Sequence, residues 1–183
     1  MTIKSLECLF KQNLSTMHDA EKQITVALPK MAAAATDPAL KTAFLNHLEE
    51  TKGQIQRIEQ AATAHDLKLE QILCTVTQAL IRESDTMTKI TPSGPLLDLA
   101  LLSGAQKVEH LEIASYTSLV DMATELGFND AADLLGLNLD EEAATDDKLA
   151  ELSEEGILGD AGGDIDPALA AGLTSAAPDL KTV

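Results

Sequence analysis

Aromatic side chains are nearly missing from this 183-residue chain: three Phe, one Tyr and no Trp. Valine and isoleucine are sparse as well, whereas alanine and leucine abound. Strands draw on β-branched and aromatic residues, helices on alanine and leucine. The shortage therefore points to an all-α protein. Cysteine is scarce too. Cys8 and Cys74 alone make neither a disulfide framework nor a thiolate metal site, and both read as small apolar fillers. No run approaches the roughly 20 apolar residues of a membrane span. The N-terminus lacks the apolar stretch of a signal peptide, so a cytoplasmic location is expected. Basic charge is short: 13 Lys plus Arg stand against 30 Asp plus Glu, a formal net charge of −17. Such a surface repels phosphate backbones and anionic headgroups, which argues against nucleic-acid and membrane partners.

What is present is helical periodicity. Hydrophobic residues make up 45% of the chain, enough for the core of one domain. Residues 2–35 carry the stripe Leu6, Phe10, Leu14, Met17, Ile24 and Leu28 and form the first long helix, with a kink expected at Pro29. Asp37 then N-caps a helix opened by Pro38. This second helix spans 38–65 and ends at His65-Asp66. A shorter helix is expected over 71–88, then a loop at Thr91-Pro92-Ser93-Gly94-Pro95. The third long helix covers 95–126 with Gly127 as its C-terminal cap. The fourth covers 130–155 and is ended by Gly156. Residues 158–183, rich in Gly, Ala and Asp, read as an acidic flexible tail with a short helix near Pro167–Gly172. Short turns within each pair and a crossover of about 30 residues between pairs are the connectivity of a ferritin-like four-helix bundle, here occupying residues 1–157.

Carboxylates interrupt the apolar stripes. Glu21 lies between Met17 and Ile24. On the second helix His47, Glu50, Thr51 and Gln54 share a face. Glu109 and Glu112 lie between Leu102 and Tyr116, and Glu142 and Asp146 between Leu139 and Leu149. A lone helical carboxylate is ordinarily solvated; the coincidence across four helices is the signal. Each buried ion costs several kcal/mol even after relaxation, and like charges worsen this. Two divalent cations would offset most of it, and an oxygen-rich site suits iron or manganese. The candidate ligands are therefore Glu21, Glu50, Glu109, Glu112, Glu142 and Asp146, with His47, Gln54 and Tyr116 as further ligands or partners of the ligands. Glu50, with Glu112 or Glu142, is the expected bridge; Glu21 and Glu109 are terminal. The adjacent Glu49 and Glu141 should face outward. His18, His65 and His110 read as a polar flank, a helix end and a side chain pointing away.

The segments His18-Asp19-Ala20-Glu21-Lys22-Gln23, His47-Leu48-Glu49-Glu50-Thr51, Val108 to Tyr116 and Glu141 to Asp146 resemble the YciE/YciF family of ferritin-like bacterial stress proteins over residues 4–155. The resemblance implies a bundle, a di-metal site and homodimers. The chain departs from the Glu-x-x-His pattern of many di-iron bundles: Gly53 and Thr145 stand where histidines would. Helix three instead carries Glu109-x-x-Glu112, similar to rubrerythrin. His47, Gln54 or Asp146 could fill the missing positions, Asp146 before His47. Together these readings give a di-iron protein of stress response that oxidises ferrous iron with dioxygen or peroxide. The alternative is a non-enzymatic structural or interaction dimer with a weak or vestigial metal site.

Overall fold

The computed structural model describes residues 3–163. Four long helices, α1 (Leu6–Ala34), α2 (Pro38–Ala64), α4 (Pro95–Glu125) and α5 (Asn129–Leu152), pack as two antiparallel pairs, α1 with α2 and α4 with α5. Contacts of α2 with α5 and of α1 with α4 close the bundle, while α3 (Thr75–Ile90) lies outside against α4 and α1. The expected ferritin-like bundle with a long crossover and its own short helix is what forms.

Local chemistry sets the helix ends. Ser5 caps α1 by accepting from the Cys8 amide at 3.1 Å. Asp37 caps α2 through the Ala39 and Leu40 amides, both at 2.8 Å, with Pro38 in the first turn. α1 continues through exposed Pro29 to Ala34. At the end of α4 the Gly127 and Phe128 amides donate back to Thr124 and Ala123. Gly127 takes φ 74°, where glycine carries no Cβ penalty. The same motif closes α2, but there Asp66 occupies the left-handed position, at φ 52°.

Two expectations are corrected. The crossover helix begins at Thr75 rather than 71, because the preceding segment is gripped by α1. Lys11, Ser15, Asp19 and Gln23, four residues apart and so on one face, bond respectively to the Glu70 carboxylate, the Glu70 amide, the Cys74 amide and the Cys74 carbonyl. These bonds compete with a helical turn. The second concerns the end of the fourth long helix: α5 stops at Leu152 and Gly156 does leave helical geometry (φ 172°, ψ −36°), but a further short helix follows it. After α5 comes a short segment, Ser153–Ile157, kinked at Gly156, and then α6 (Leu158–Gly162). Leu152, Ile157 and Ala161 are buried, and both segments pack on α4. The short helix expected near Pro167–Gly172 lies outside the described residues, as does most of the expected tail.

The core falls into two apolar halves. One contains Phe10, Leu14, Met17, Ile58, Leu119 and Leu135. The other contains Ile24, Leu28, Leu40, Phe44, Leu101 and Leu149. Between them, at the same level of all four long helices, the stripe turns polar.

Candidate metal centre

Each long helix contributes to this polar layer through the positions its period turns inward. α1 gives Glu21, between Met17 and Ile24. α2 gives His47, Thr51 and Gln54, in register with Phe44 and Ile58. α4 gives Glu109 and Glu112, in register with Ala105 and Tyr116. α5 gives Asn138 and Glu142, in register with Leu135 and Leu149. All of these are buried.

The ligand atoms of His47, Glu109, Glu112 and Glu142 lie within 4.8 Å of one another. His47 Nε2 stands 3.5 Å from Glu109 Oε1 and 3.7 Å from Glu142 Oε2, too long for hydrogen bonds. Metal–ligand bonds of about 2.1 Å put opposite ligands about 4.2 Å apart, so a small contraction would close this group on an ion. Glu21 interacts with this group: the charge of Glu142 acts on its carboxyl, and its own charge acts on Glu112.

The hydrogen bonds of the cluster have one orientation in common. Tyr116 donates its hydroxyl to Glu21 Oε1 and accepts from Asn138 Nδ2 at 2.9 Å. Gln54 donates to Glu142 Oε1, and also to Glu141 Oε2 at 3.1 Å. His47 turns Nδ1 to Thr145 Oγ1 at 3.3 Å and Glu50 Oε2 at 3.4 Å. Each partner holds one atom of the residue and leaves the other without one: Glu21 Oε2, Glu142 Oε2 and His47 Nε2. Glu109 Oε2 and both oxygens of Glu112 are likewise orphaned. Among the described residues, every buried side-chain nitrogen or oxygen lacking a partner belongs to this cluster or to the adjoining Gln54 and Asp146. Native interiors pair the large majority of such side-chain groups, so orphans gathered at one point read as candidate ligand atoms. The donor set of one imidazole and several carboxylates fits a divalent first-row metal.

Electrostatics agree. Burial, reinforced by Glu142, pushes the Glu21 carboxyl well above the usual carboxylate range. Burial and then Glu142 do the same to Glu109, and burial and then Glu21 to Glu112. Burial, with the charges of Glu21 and Glu112, keeps the Tyr116 phenol protonated. Without a cation the cluster is a mutually repelling group of acids in a dry layer.

Not every candidate reaches the centre. Glu50, expected as a bridge, has a side chain 45% exposed at the rim beside His47, whose imidazole holds it below the usual carboxylate range. The inward stripe of α2 runs through His47, Thr51, Gln54 and Ile58, which leaves position 50 on its flank. Asp146, preferred over His47, is also at the rim: Oδ2 is 3.6 Å from the exposed His110, although Oδ1 is buried and unpartnered. His47 takes the central place instead. Gln54 and Tyr116 serve as hydrogen-bond donors to the Glu142 and Glu21 carboxylates. Glu49 faces solvent as expected. Glu141 does not: it is half-buried and paired with Arg57, which also donates to Asn138. Sequence reasoning missed Asn138 and Arg57. Asn138 could have been found, since it continues the stripe of Ala131, Leu135 and Glu142; Arg57 leaves no such trace. His18 pairs with Glu59, and His65 stacks on Phe128 at 3.8 Å while bonding Asp130.

Fold and cluster together define an all-α bundle with a buried His/Glu group that could hold a metal ion. The chain belongs to the family described as a domain of unknown function, DUF892, which it matches over residues 5–161. It is 44% identical over 154 residues to protein YciF of Escherichia coli strain K12, covering 84% of this chain and 93% of that protein. The crystal structure of the E. coli stress protein YciF matches with a TM-score of 0.81 at 44% identity, over 82% of this chain and 96% of that one. YcfI of Rhodopseudomonas palustris matches with a TM-score of 0.77 at 40% identity, over 81% and 94% of the respective chains. The family resemblance read from the sequence is thus established. No helix among the described residues is long and apolar enough to cross a membrane.

Proposed function

We propose that this chain is a di-metal carboxylate protein of stress response that binds two ferrous ions and oxidises them with dioxygen or peroxide. The observation that carries the reading is the set of paired-and-orphaned atoms: Tyr116, Gln54 and the Thr145–Glu50 rim hold the outer atoms of Glu21, Glu142 and His47, and the inner atoms converge unpartnered. Four buried carboxylates, Glu21, Glu109, Glu112 and Glu142, match the four positive charges of two divalent ions. Glu112, whose two oxygens both lack partners, and His47 through Nε2 would complete the set of residues holding the ions. When bound, ferrous iron would supply the reducing electrons. The chain's own part is to hold its ligands in place before the metal arrives and to exclude bulk water with the two apolar halves of the core. It also keeps Tyr116 protonated as a donor to Glu21. The stress-response part of the reading rests on kinship with the E. coli stress protein. Anaerobic ferrous titration followed by oxygen tests the reading: about two ions per chain and a ferric absorption band are expected. Absence of both defeats it.

A second reading is a structural or interaction dimer with a weak metal site. It is favoured by Leu45 and Leu137, apolar side chains left exposed on the neighbouring helices α2 and α5. Melting with and without a chelator separates the two. A metal-loaded sample whose melting temperature ignores chelation supports this second reading.

A further inference from the structure

A cavity of about 350 Å³ opens beside the acid layer, walled by α1, α4 and the start of α3. Its size is at the small end of ligand pockets, which span about 300–1,000 Å³. Met17, Ala20, Leu119, Cys74 and Thr77 are its buried residues; Ala114 and Ser118 are exposed at the lip. The wall that carries Cys74 is fixed, because Asp19 accepts from the Cys74 amide and Gln23 donates to the Cys74 carbonyl.

Three observations set the chemistry of its occupant. First, the lining contains no Asp, Glu, His, Lys or Arg, although 23% of the chain is charged. In a protein of net charge −17, a neutral lining gives an anion nothing to pair with. Second, the exposed lining is mainly apolar, which favours an apolar body. Third, the Asn13 amide and the Ser118 hydroxyl at the cavity bond to no other described residue. They leave donors and acceptors for a hydroxyl. The cavity also adjoins the candidate metal centre. Ala20, Leu111 and Ser115 of its lining directly precede Glu21, Glu112 and Tyr116 in the chain.

We propose that this cavity binds an uncharged organic molecule with an apolar body and a hydroxyl group, of phenol or alcohol type, beside the acid cluster. Binding stands on the cavity alone. A role for that molecule as reactant or electron donor rests on the metal-centre reading above.

The test uses the full chain in chelator, titrated with para-ethylphenol and separately with its carboxylate analogue para-ethylbenzoate, and read by amide chemical-shift mapping. Saturable shifts confined to residues around Cys74, Thr77 and Ser115 are expected with the phenol, with binding by the anion weaker by about tenfold or more, roughly 1.4 kcal/mol. Ala114→Trp and, separately, Ser118→Phe fill the lip from exposed positions; each should abolish the shifts and leave ferrous binding unchanged. Shifts that are absent, scattered over the bundle, equal for the anion, or retained in a folded filled variant overturn the proposal. So do shifts at the same amides that depend on protein concentration without probe, which would make this face a contact between copies. A failed ferrous titration with intact phenol shifts removes the metal-centre reading and leaves the cavity assignment standing.

Discussion

Replacing Glu112 by leucine should stabilise the metal-free protein and abolish its stabilisation by metal. Glu112 is fully buried and neither oxygen has a partner. At about pH 7 its carboxyl must either ionise among Glu21, Glu142 and Glu109 or retain a proton. Retaining the proton costs at most about 3.5 kcal/mol, since about 2.5 pH units separate pH 7 from the ordinary carboxylate value and each is worth about 1.4 kcal/mol. Exchange of buried ionic groups for apolar ones of similar volume commonly gains about 1–4 kcal/mol. The two figures agree on a gain near 2 kcal/mol, or about 4–8 °C for a chain of this size. With metal the sign reverses. A ligand at about 100 times its dissociation constant stabilises the native protein by about 2.7 kcal/mol, and the variant forfeits this. Thermal melting followed by circular dichroism, in chelator and then with anaerobic ferrous iron, measures both effects. A variant less stable than wild type in chelator, or one still stabilised by ferrous iron as strongly as wild type, would refute the reasoning.

The metal-free protein should also lose stability as pH rises. Glu21, Glu109 and Glu112 are all raised above the ordinary 4.5, so above about pH 4.5 the native state binds more protons than the unfolded state and each group contributes a slope of up to about −1.4 kcal/mol per pH unit. The loss continues until pH passes the native values, whereas metal binding, which needs deprotonated ligands, should strengthen with pH; denaturant unfolding at several pH values, with and without metal, checks both trends. At the bundle end, Asp98 accepts from the Thr36 amide at 2.7 Å, the Asp37 amide at 3.0 Å and the Thr36 hydroxyl. Asp98→Ala should therefore cost about 2–3 kcal/mol in chemical denaturation, the partly exposed donors regaining some solvation. Asp66→Gly removes the Cβ from a left-handed position at φ 52° and should raise stability by about 0.5–1 kcal/mol in the same assay.

The class of fold and most of the candidate centre were legible in the residues alone. Shortage of aromatic residues, valine and isoleucine pointed away from a sheet. A period near 3.6 with acids at Glu21, Glu109, Glu112 and Glu142 marked the inward stripes, because helical geometry converts spacing directly into direction. Helix ends at Asp37, His65 and Gly127 were legible for the same reason: their causes lie within a few residues. The rest depended on how the helices pack. Whether His47 or Glu50 faces the centre depends on the rotation of α2 against α5, a matter of a few tens of degrees that packing sets. Arg57 meets Glu141, and Lys11, Ser15, Asp19 and Gln23 meet the crossover, across separations that no local period encodes. Gly156 does break the helix, yet the buried Ile157 and Ala161 beyond it hold a further short helix against α4, which the sequence did not announce. Local periodicity specifies which face a helix buries; only the assembled neighbours specify what that face meets.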